Sequence, residues 1–319
     1  MKIGIVGSGM VGATAAYAVV MRKAAGEVVL LDANKDRAKA EAADIMHAVP
    51  FSHETDVYAG EYNDLANSNV IVIAAGANQK PGETRLSLME RNVKILDGIL
   101  SQTSVVAPNA IYLVATNPVD IITHMCVMLG EKYGIEKSKI IGTGTTLDTA
   151  RFRVLLGKFL GVDSRNVHGY VVGEHGDSEV LTWSNIDIGG VKLEDFIAFR
   201  GIEFNEEIKN KIDNDVRNAA YTIISGKGST YYGIGAAIAK IVDIINRDNR
   251  AILTVSSFNN DVEGVKDLAI ALPHLVGGEG IIAALPLNLS VKEKMLLKQS
   301  AQIIKGKIEA YSENLNKEG

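Results

Sequence analysis

The side chains best suited to chemistry lie in two short segments of the second half of the sequence. His175 stands between glycines in residues 173–178, and histidine is the side chain whose ordinary pKa suits proton transfer near neutral pH. Asp148 and Arg151 are three residues apart, so a helix over residues 146–153 places both on one face. One acid and one guanidinium can therefore face a site together. Taken singly, His175 could be a surface histidine, and Asp148 and Arg151 could form a surface ion pair.

Two further polar features accompany these segments. Arg153 points to nearly the opposite side of the same helix from Arg151, because successive helical residues turn by about 100°. Residues 77–85 follow a predicted strand and contain Pro81 and Gly82. At the carboxyl edge of a parallel sheet such a loop can act as a lid over a ligand, although a solvated surface turn has the same composition.

The glycine-rich start of the chain predicts a dinucleotide site. Gly7, Gly9 and Gly12 have the spacing G-x-G-x-x-G between a predicted strand and a predicted helix, and Asp32 follows 20 residues after Gly12. The glycines allow a tight turn, close approach of a pyrophosphate and close packing of the helix, whose N-terminus favours phosphate. A carboxylate at Asp32 binds ribose hydroxyls and repels a 2′-phosphate, which favours NAD over NADP. The cofactor-binding candidates are Gly7, Gly9, Met10, Val11, Gly12 and Asp32.

The first half of the chain contains the strands and helices that must position these residues. Short apolar runs alternate with amphipathic ones, which is typical of a doubly wound parallel sheet. The helical candidates are Met10–Arg22 and residues 86–100. The predicted strands are Lys2–Val6 and residues 28–31, 70–75 and 111–115. We therefore expect an α/β fold in which residues 1–143 form a dinucleotide-binding domain with a Rossmann sheet.

The second half, residues 144–319, predicts an α+β substrate and catalytic domain. Residues 167–172 have the composition of one strand, and apolar spacing predicts long helices over residues 208–223 and 234–245. Short strands are expected at residues 252–258, 267–272 and 281–285, and a closing helix at residues 291–311.

Composition argues against several classes of protein. With 33 Lys and Arg against 38 Asp and Glu the net charge is −5, and without a basic run this chain is a poor ligand for nucleic acid or an anionic membrane. A single cysteine, Cys126, excludes an internal disulfide and a cysteine-rich zinc site. It lies in the apolar run 121–129, which indicates a core residue. No H-E-x-x-H motif suggests a metal site.

The expected location is a reducing cytoplasm. The chain begins directly with a predicted strand, which leaves no room for a secretion signal. Its most apolar long window, residues 268–289, is interrupted by prolines, glycines and charge, so no membrane span is expected.

Together these segments resemble the L-lactate dehydrogenases of the lactate/malate dehydrogenase family, of the bacterial type that fructose 1,6-bisphosphate activates. The likeness spans nearly the whole chain, and the motifs are specific in combination. The matching segments are residues 3–12, 74–92, 115–120, 142–153, 171–178 and 227–234.

The resemblance implies a role for each catalytic candidate. His175 corresponds to the acid/base that protonates the substrate carbonyl oxygen. Asp148 corresponds to the carboxylate that holds that imidazole in one tautomer and stabilises its charged form. Arg151 matches the residue that grips the substrate carboxylate. Arg85 matches a lid arginine that polarises the carbonyl, and Asn117 resembles a residue that positions nicotinamide and substrate.

The resemblance also implies pyruvate and L-lactate as the substrate pair. Where malate dehydrogenases of the family carry an arginine that meets a second carboxylate, this chain has the neutral Gln79. A second substrate carboxylate there would be buried without a countercharge, which is costly. Thr230 resembles the residue that closes the same end of the pocket.

Regulation and assembly are implied in the same way. Arg153 and His168 resemble a pair that binds fructose 1,6-bisphosphate between two subunits and favours an active homotetramer. The resemblance further implies a cytoplasmic, allosteric enzyme of glycolysis and fermentation.

Two other functions remain open at this stage. One is a dehydrogenase for malate or another 2-hydroxy acid. The other is an NAD-binding protein with a structural role and no turnover, although such a protein needs none of the proton-transfer residues.

Overall fold

The computed structural model describes residues 1–77, 82 and 85–318, without the side chains of residues 85, 86 and 313–318. Across these residues the chain forms 14 strands and nine α-helices. The strands are β1 (Lys2–Val6), β2 (Glu27–Leu31), β3 (Asp56–Ala59), β4 (Val70–Ile73), β5 (Ile111–Val114), β6 (Ile140–Gly142), β7 (Val167–His168), β8 (Val171–Val172), β9 (Val180–Leu181), β10 (Asp187–Ile188), β11 (Val191–Lys192), β12 (Ala251–Val262), β13 (Val265–Gly277) and β14 (Gly280–Ala284). The helices are α1 (Met10–Arg22), α2 (Lys35–Ala48), α3 (Arg85–Val106), α4 (Val119–Lys132), α5 (Thr146–Leu160), α6 (Leu193–Arg200), α7 (Glu206–Lys227), α8 (Tyr232–Asn246) and α9 (Val291–Glu318).

The first six strands form the predicted parallel sheet. Their order is β3-β2-β1-β4-β5-β6, with Ile3 of β1 opposite both Val28 of β2 and Val70 of β4. The order reverses between β1 and β4, and at such a point the carboxyl ends of the strands leave a crevice for a ligand. The expected doubly wound sheet is confirmed.

Apolar side chains cover both faces of this sheet. Residues of β1, β2, β4 and β5 alternate between two buried clusters, because successive strand residues point to opposite faces. Helix α8, from the second half of the chain, completes one cluster by packing against α1, where a Cβ added to Gly235 would lie 2.6 Å from Thr14 Cγ2. The two halves of the sequence therefore share one core on this face.

The last three strands lie where the sequence predicts them and join the same sheet, and β12 and β13 are longer than predicted. β12 and β13 pair from Ala251–Val276 to Val262–Val265, and β12 meets β6 at Ser256 and Gly142. The result is a nine-stranded sheet whose final members are antiparallel. Pro273 suggests the end of a strand in the sequence. In the structure it lies inside β13 and pairs with Thr254 of β12.

The expectation of one strand over residues 167–172 is wrong. The segment divides into β7, which pairs with β10, and β8, which pairs with β9 in a different sheet. The change of sheet occurs at Gly169, where an added Cβ would lie 3.2 Å from the Phe152 ring and from Ile186. Phe152 and Ile186 belong to a third buried cluster, around α5 and α7.

Two further observations concern the apolar parts of the chain. Cys126 is a free, fully buried residue of α4, as its apolar surroundings predict. Across the part of the chain described here, no helix combines the length and apolarity needed to cross a membrane.

Candidate active site

His175 lies in the loop that joins β8 to β9. Gly173, at the start of this loop, has a positive φ of 92°, a conformation that favours glycine. Its N–H donates to Ala271 O of β13 at 2.9 Å, and Ala271 N–H donates back at 3.2 Å. The loop therefore starts from a position held by the large sheet.

The first turn of α5 is held against the same strands by threonine side chains. Thr145 Oγ1 donates to Val171 O at 2.5 Å, and Thr149 Oγ1 accepts from Val171 N at 2.9 Å. Thr149 Oγ1 also lies 2.8 Å from Thr254 Oγ1 of β12. These bonds bring Asp148, on the same turn, to the start of the histidine loop.

Asp148 stands between the two predicted cationic partners. His175 Nδ1 lies 2.6 Å from Asp148 Oδ2, and Arg151 Nη1 donates to Asp148 Oδ1 at 2.7 Å. The Asp148 side chain is 2% exposed, whereas those of His175 and Arg151 are 28% and 15% exposed. The prediction that Asp148 and Arg151 share a helix face beside a histidine is therefore correct, and each carboxylate oxygen has its own cationic partner.

The surroundings favour a charged imidazole. Burial of His175 disfavours its charge, but the hydrogen bond and charge of Asp148, with the charges of Asp120 and Glu179, outweigh burial and raise its pKa to about 9. Burial likewise opposes ionisation of Asp148, yet His175 and Arg151 lower the pKa of that carboxyl. At neutral pH the pair is an imidazolium and a carboxylate, ready to donate a proton.

The glycine loop after β1 shows a different structural reason for each glycine. Gly7 has a positive φ of 101°, and a Cβ there would lie 2.5 Å from Ala75 N. A Cβ on Gly12 would overlap Gly7 O. Gly9 has an ordinary φ of −68° and no atom within 4 Å of an added Cβ. Neither backbone conformation nor protein packing requires glycine at position 9, so the open space suits a bound group.

That space fits the pyrophosphate of a dinucleotide. It lies at the N-terminus of α1, whose first turn carries no acidic residue, and free N–H groups at such an end attract phosphate. Asp32, directly after β2, accepts from Ser8 N at 2.7 Å and from Asn34 N at 2.9 Å. A carboxylate at the end of β2 is placed to bind the ribose of NAD.

Comparisons with known proteins agree with this geometry. Residues 1–142 match the NAD binding domain of lactate/malate dehydrogenase, and residues 145–315 match the alpha/beta C-terminal domain of the same family. The chain belongs to the lactate/malate dehydrogenase family. Residues 1–142 are therefore an NAD-binding domain.

Individual relatives extend the likeness over the whole chain. An L-lactate dehydrogenase of Geotalea daltonii is 53% identical over 98% of this chain and 100% of its own length. One of Thermus aquaticus is 47% identical over 96% of this chain and 98% of its own. The crystal structure of a minor L-lactate dehydrogenase of Enterococcus mundtii, in a ligands-bound form, matches with a TM-score of 0.92 and 37% identity, covering 97% of this chain and 98% of that chain.

Four further residues are predicted from the family resemblance, and the structure describes the side chains of two of them. Asn117 is exposed and follows β5 at the same sheet edge. Thr230 is half-buried just before α8, whose Gly233 would bring a Cβ to 3.0 Å from Leu147 Cδ1, beside Asp148. Gln79 is not among the described residues, and Arg85 begins α3 but its side chain is not described.

The two candidate effector residues lie near one another. Arg153 Nε donates to Gly169 O at 3.0 Å, and its guanidinium carbon lies 5.4 Å from the centre of the Tyr170 ring. His168, adjacent to Gly169, is exposed on β7. As helix geometry predicts, Arg153 does not join Arg151 at Asp148.

Two acidic residues of the site were missed from the sequence. Asp120, buried in the first turn of α4, accepts from His175 N at 2.7 Å. Asp120 ends the segment 115–120 that carries the family resemblance, but nothing in the sequence indicates that it is buried beside His175. Glu179, 3% exposed, ends the histidine loop, and burial raises its pKa to about 8. A lone glutamate before the apolar β9 is a weak indication of burial. Over the part of the chain that the structure describes, His, Cys, Asp and Glu form no cluster suited to a metal ion.

We predict that Asp148→Asn lowers the pKa of His175 from about 9, because burial is then opposed only by the smaller effects of Asp120 and Glu179. NMR titration of the histidine ring protons measures this pKa without any substrate. Asp195→Asn, an exposed acid on α6, serves as the control. A His175 pKa that stays near 9 in Asp148→Asn would contradict the assigned pairing.

We predict that Gly9→Val weakens NADH binding by about tenfold or more while leaving thermal stability nearly unchanged, because a Cβ at position 9 has no protein atom within 4 Å and the side chain enters the space assigned to pyrophosphate. Gly12→Ala, which overlaps Gly7 O, should instead lower both stability and binding. Fluorescence titration with NADH and thermal unfolding measure the two properties. Normal NADH affinity in Gly9→Val would place the phosphates elsewhere.

Proposed function

We propose that this chain is an NAD-dependent L-lactate dehydrogenase, which reversibly reduces pyruvate to L-lactate. One observation carries the proposal: a buried carboxylate, Asp148, holds both a charged histidine and an arginine. The first can donate a proton to a carbonyl oxygen, and the second can bind the carboxylate next to that carbonyl. A 2-oxo acid has both groups on neighbouring carbons.

The two cations have separate tasks in this proposal. Arg151 uses Nη1 to bind Asp148, and its remaining guanidinium N–H groups can donate in parallel to the pyruvate carboxylate. His175 uses Nδ1 toward Asp148, which leaves Nε2–H to donate to the carbonyl oxygen. Bound NADH supplies the hydride that reduces the carbonyl carbon.

The pKa of His175 also sets the direction in which each reaction responds to pH. Pyruvate reduction needs the imidazolium, which is the main form below a pKa of about 9. Lactate oxidation needs the neutral ring as a base, and that form increases as the pH rises through the same value. Reduction should therefore lose rate on the alkaline side, where oxidation gains it.

Pyruvate is preferred over oxaloacetate because of the residues assigned to the far end of the pocket. Gln79 offers no charge to a second carboxylate, and Thr230 limits the space for a larger side chain. A malate or other 2-hydroxy acid dehydrogenase is the alternative enzyme. A non-catalytic NAD-binding protein is the other alternative, and an NADH absorbance assay with pyruvate separates it from an enzyme.

We extend the proposal to regulation, assembly and location. Arg153 bonds Gly169 O, the residue next to the exposed His168, and does not join Arg151 at Asp148; in this proposal Arg153 and His168 form an anion site for fructose 1,6-bisphosphate between two subunits of a homotetramer. Binding there stabilises the active form of a cytoplasmic, allosteric enzyme of glycolysis and fermentation. The division into a dinucleotide-binding domain, residues 1–143, and a substrate domain, residues 144–319, is supported by family matches that end at 142 and resume at 145.

We predict that kcat/KM for pyruvate exceeds that for oxaloacetate by about a hundredfold or more, since an unpaired carboxylate in the pocket is strongly disfavoured. Gln79→Arg should shift the preference toward oxaloacetate. Gln102→Arg, which adds the same charge at an exposed position of α3, is the matched control. Steady-state rates with both substrates measure the ratio, and a higher value for oxaloacetate in the unmodified enzyme would reject the pyruvate assignment.

We predict that fructose 1,6-bisphosphate lowers the pyruvate concentration needed for half-maximal rate, and that Arg153→Gln abolishes this response because a phosphate loses its cationic partner. Arg165→Gln, a highly exposed arginine paired with Asp163, should retain the response. Pyruvate saturation curves with and without the bisphosphate at neutral pH test the point. Identical curves for the unmodified enzyme with and without the bisphosphate would contradict the proposed effector site.

A further inference from the structure

The C-terminal helix α9 packs directly against the catalytic loop. A Cβ added to Gly173 would lie 2.7 Å from Ser300 Oγ of α9. Ser300 is fully buried, and its Oγ accepts from Glu174 N at 2.8 Å and lies 3.0 Å from Ser178 Oγ. One hydroxyl of α9 thus reaches both ends of the segment that contains His175.

A second link joins α9 to the residue directly before His175. Lys307 Nζ lies 2.5 Å from Glu174 Oε1, and Ser178 Oγ donates to Glu174 Oε2 at 2.5 Å. The Glu174 side chain is 13% exposed and that of Lys307 is 48% exposed. Glu174 therefore holds one partner from α9 and one from within the loop.

A cleft borders the outer side of this loop. It has a volume of about 480 Å³ and is lined by loop residues 174 and 176–178 and by Tyr221, Ile303 and Lys307. Gly176, next to His175, has a positive φ of 156°, a conformation that glycine adopts more readily than other residues. On this side the loop is connected to α9 by the ion pair of Glu174 and Lys307, both of which line the cleft.

We propose that Lys307 and Ser300 are positioning residues for catalysis, which act through Glu174 to keep His175 in line with Asp148. The inference rests on the proposed function for its catalytic consequence. It makes α9 part of the catalytic apparatus, although α9 contributes no group to the reacting atoms.

A purely structural reading of the Lys307–Glu174 pair makes a different prediction. An ion pair with a half-exposed lysine adds little to stability, so a structural role predicts no change in catalysis. A positioning role predicts a fall in kcat with little change in KM, since a small displacement of the proton donor affects the transition state more than substrate binding.

The charged groups around His175 determine how its pKa changes when the loop moves. Asp148 faces it from α5, Asp120 from α4 and Glu179 from its own loop. Arg151 pairs with Asp148, and Arg217 of α7 faces Glu179. Of these, only Asp148 hydrogen-bonds the ring. A loop that moves away from Asp148 therefore lowers the pKa of His175.

The test compares Lys307→Met with the unmodified enzyme. We expect kcat for pyruvate reduction to fall about five- to tenfold with KM within about twofold, and the alkaline limb of the pH–rate profile to move to lower pH. Lys307→Arg, which keeps the charge, should restore most of the rate. Lys298→Met removes the same charge from an exposed position of α9 and should behave like the unmodified enzyme. Glu174→Gln should reproduce the effect, and its combination with Lys307→Met should add nothing further.

A substrate-free measurement keeps this inference separate from the proposed function. NMR titration should give a lower His175 pKa in Lys307→Met than in Lys298→Met. If the unmodified protein does not reduce pyruvate, the proposed function fails and the titration alone decides the role of α9. If Lys307→Met matches Lys298→Met in both kcat and His175 pKa, the positioning role is overturned.

Discussion

The buried carboxylate of Asp148 is the interaction on which the rest of the site depends. Removing a carboxylate from water is costly unless charged or hydrogen-bonded partners replace the water, and here a histidine and an arginine each take one oxygen. The same bonds that make its burial tolerable also favour the charged form of the proton donor, His175, and orient the anion-binding guanidinium of Arg151. A displacement of α5 relative to the histidine loop would therefore disturb proton donation and substrate binding together. The threonine bonds of Thr145 and Thr149 to β8 and β12 oppose such a displacement.

The parallel sheet explains why the two halves of the chemistry meet. β1, β2, β5 and β6 end at one edge, and the segments that follow them carry the glycine loop, Asp32, Asn117 and the start of α5. Hydride and proton must reach adjacent atoms of one carbonyl, so the cofactor and the histidine need a shared, rigid frame. Helix α8 reinforces that frame, because it packs on α1 at Gly235 and near Asp148 at Gly233. Because α8 packs on α1, residues from both halves of the chain contribute to one buried cluster on this face of the sheet.

A structural feature could be predicted from the sequence when its physical cause involves residues that are neighbours in the chain. The glycine loop and the Asp148–Arg151 pair follow from turn sterics and helix spacing, which involve neighbouring residues. The division of residues 167–172 between two sheets depends on Phe152 and Ile186 closing around Gly169, and strand composition contains no sign of that contact. The length of β13 through Pro273 likewise depends on its pairing with β12. Asp120 and Glu179 belong to the site because of burial, which an acidic side chain in a single sequence does not reveal.

Three acids surround one histidine, and they act on it in different ways. Burial raises the pKa of Glu179 to about 8 and of Asp120 to about 6, so both carboxyls are ionised in the alkaline range where His175 titrates, and their charges help to raise its pKa. Asp120 binds the backbone N–H of His175 rather than the ring. Of the three, only Asp148 contacts the imidazole directly, so one carboxylate both orients the ring and contributes most to the charge that holds its pKa near 9. A histidine with that pKa is charged at neutral pH, and it can give its proton to a carbonyl oxygen that gains negative charge as hydride arrives and recover it afterwards.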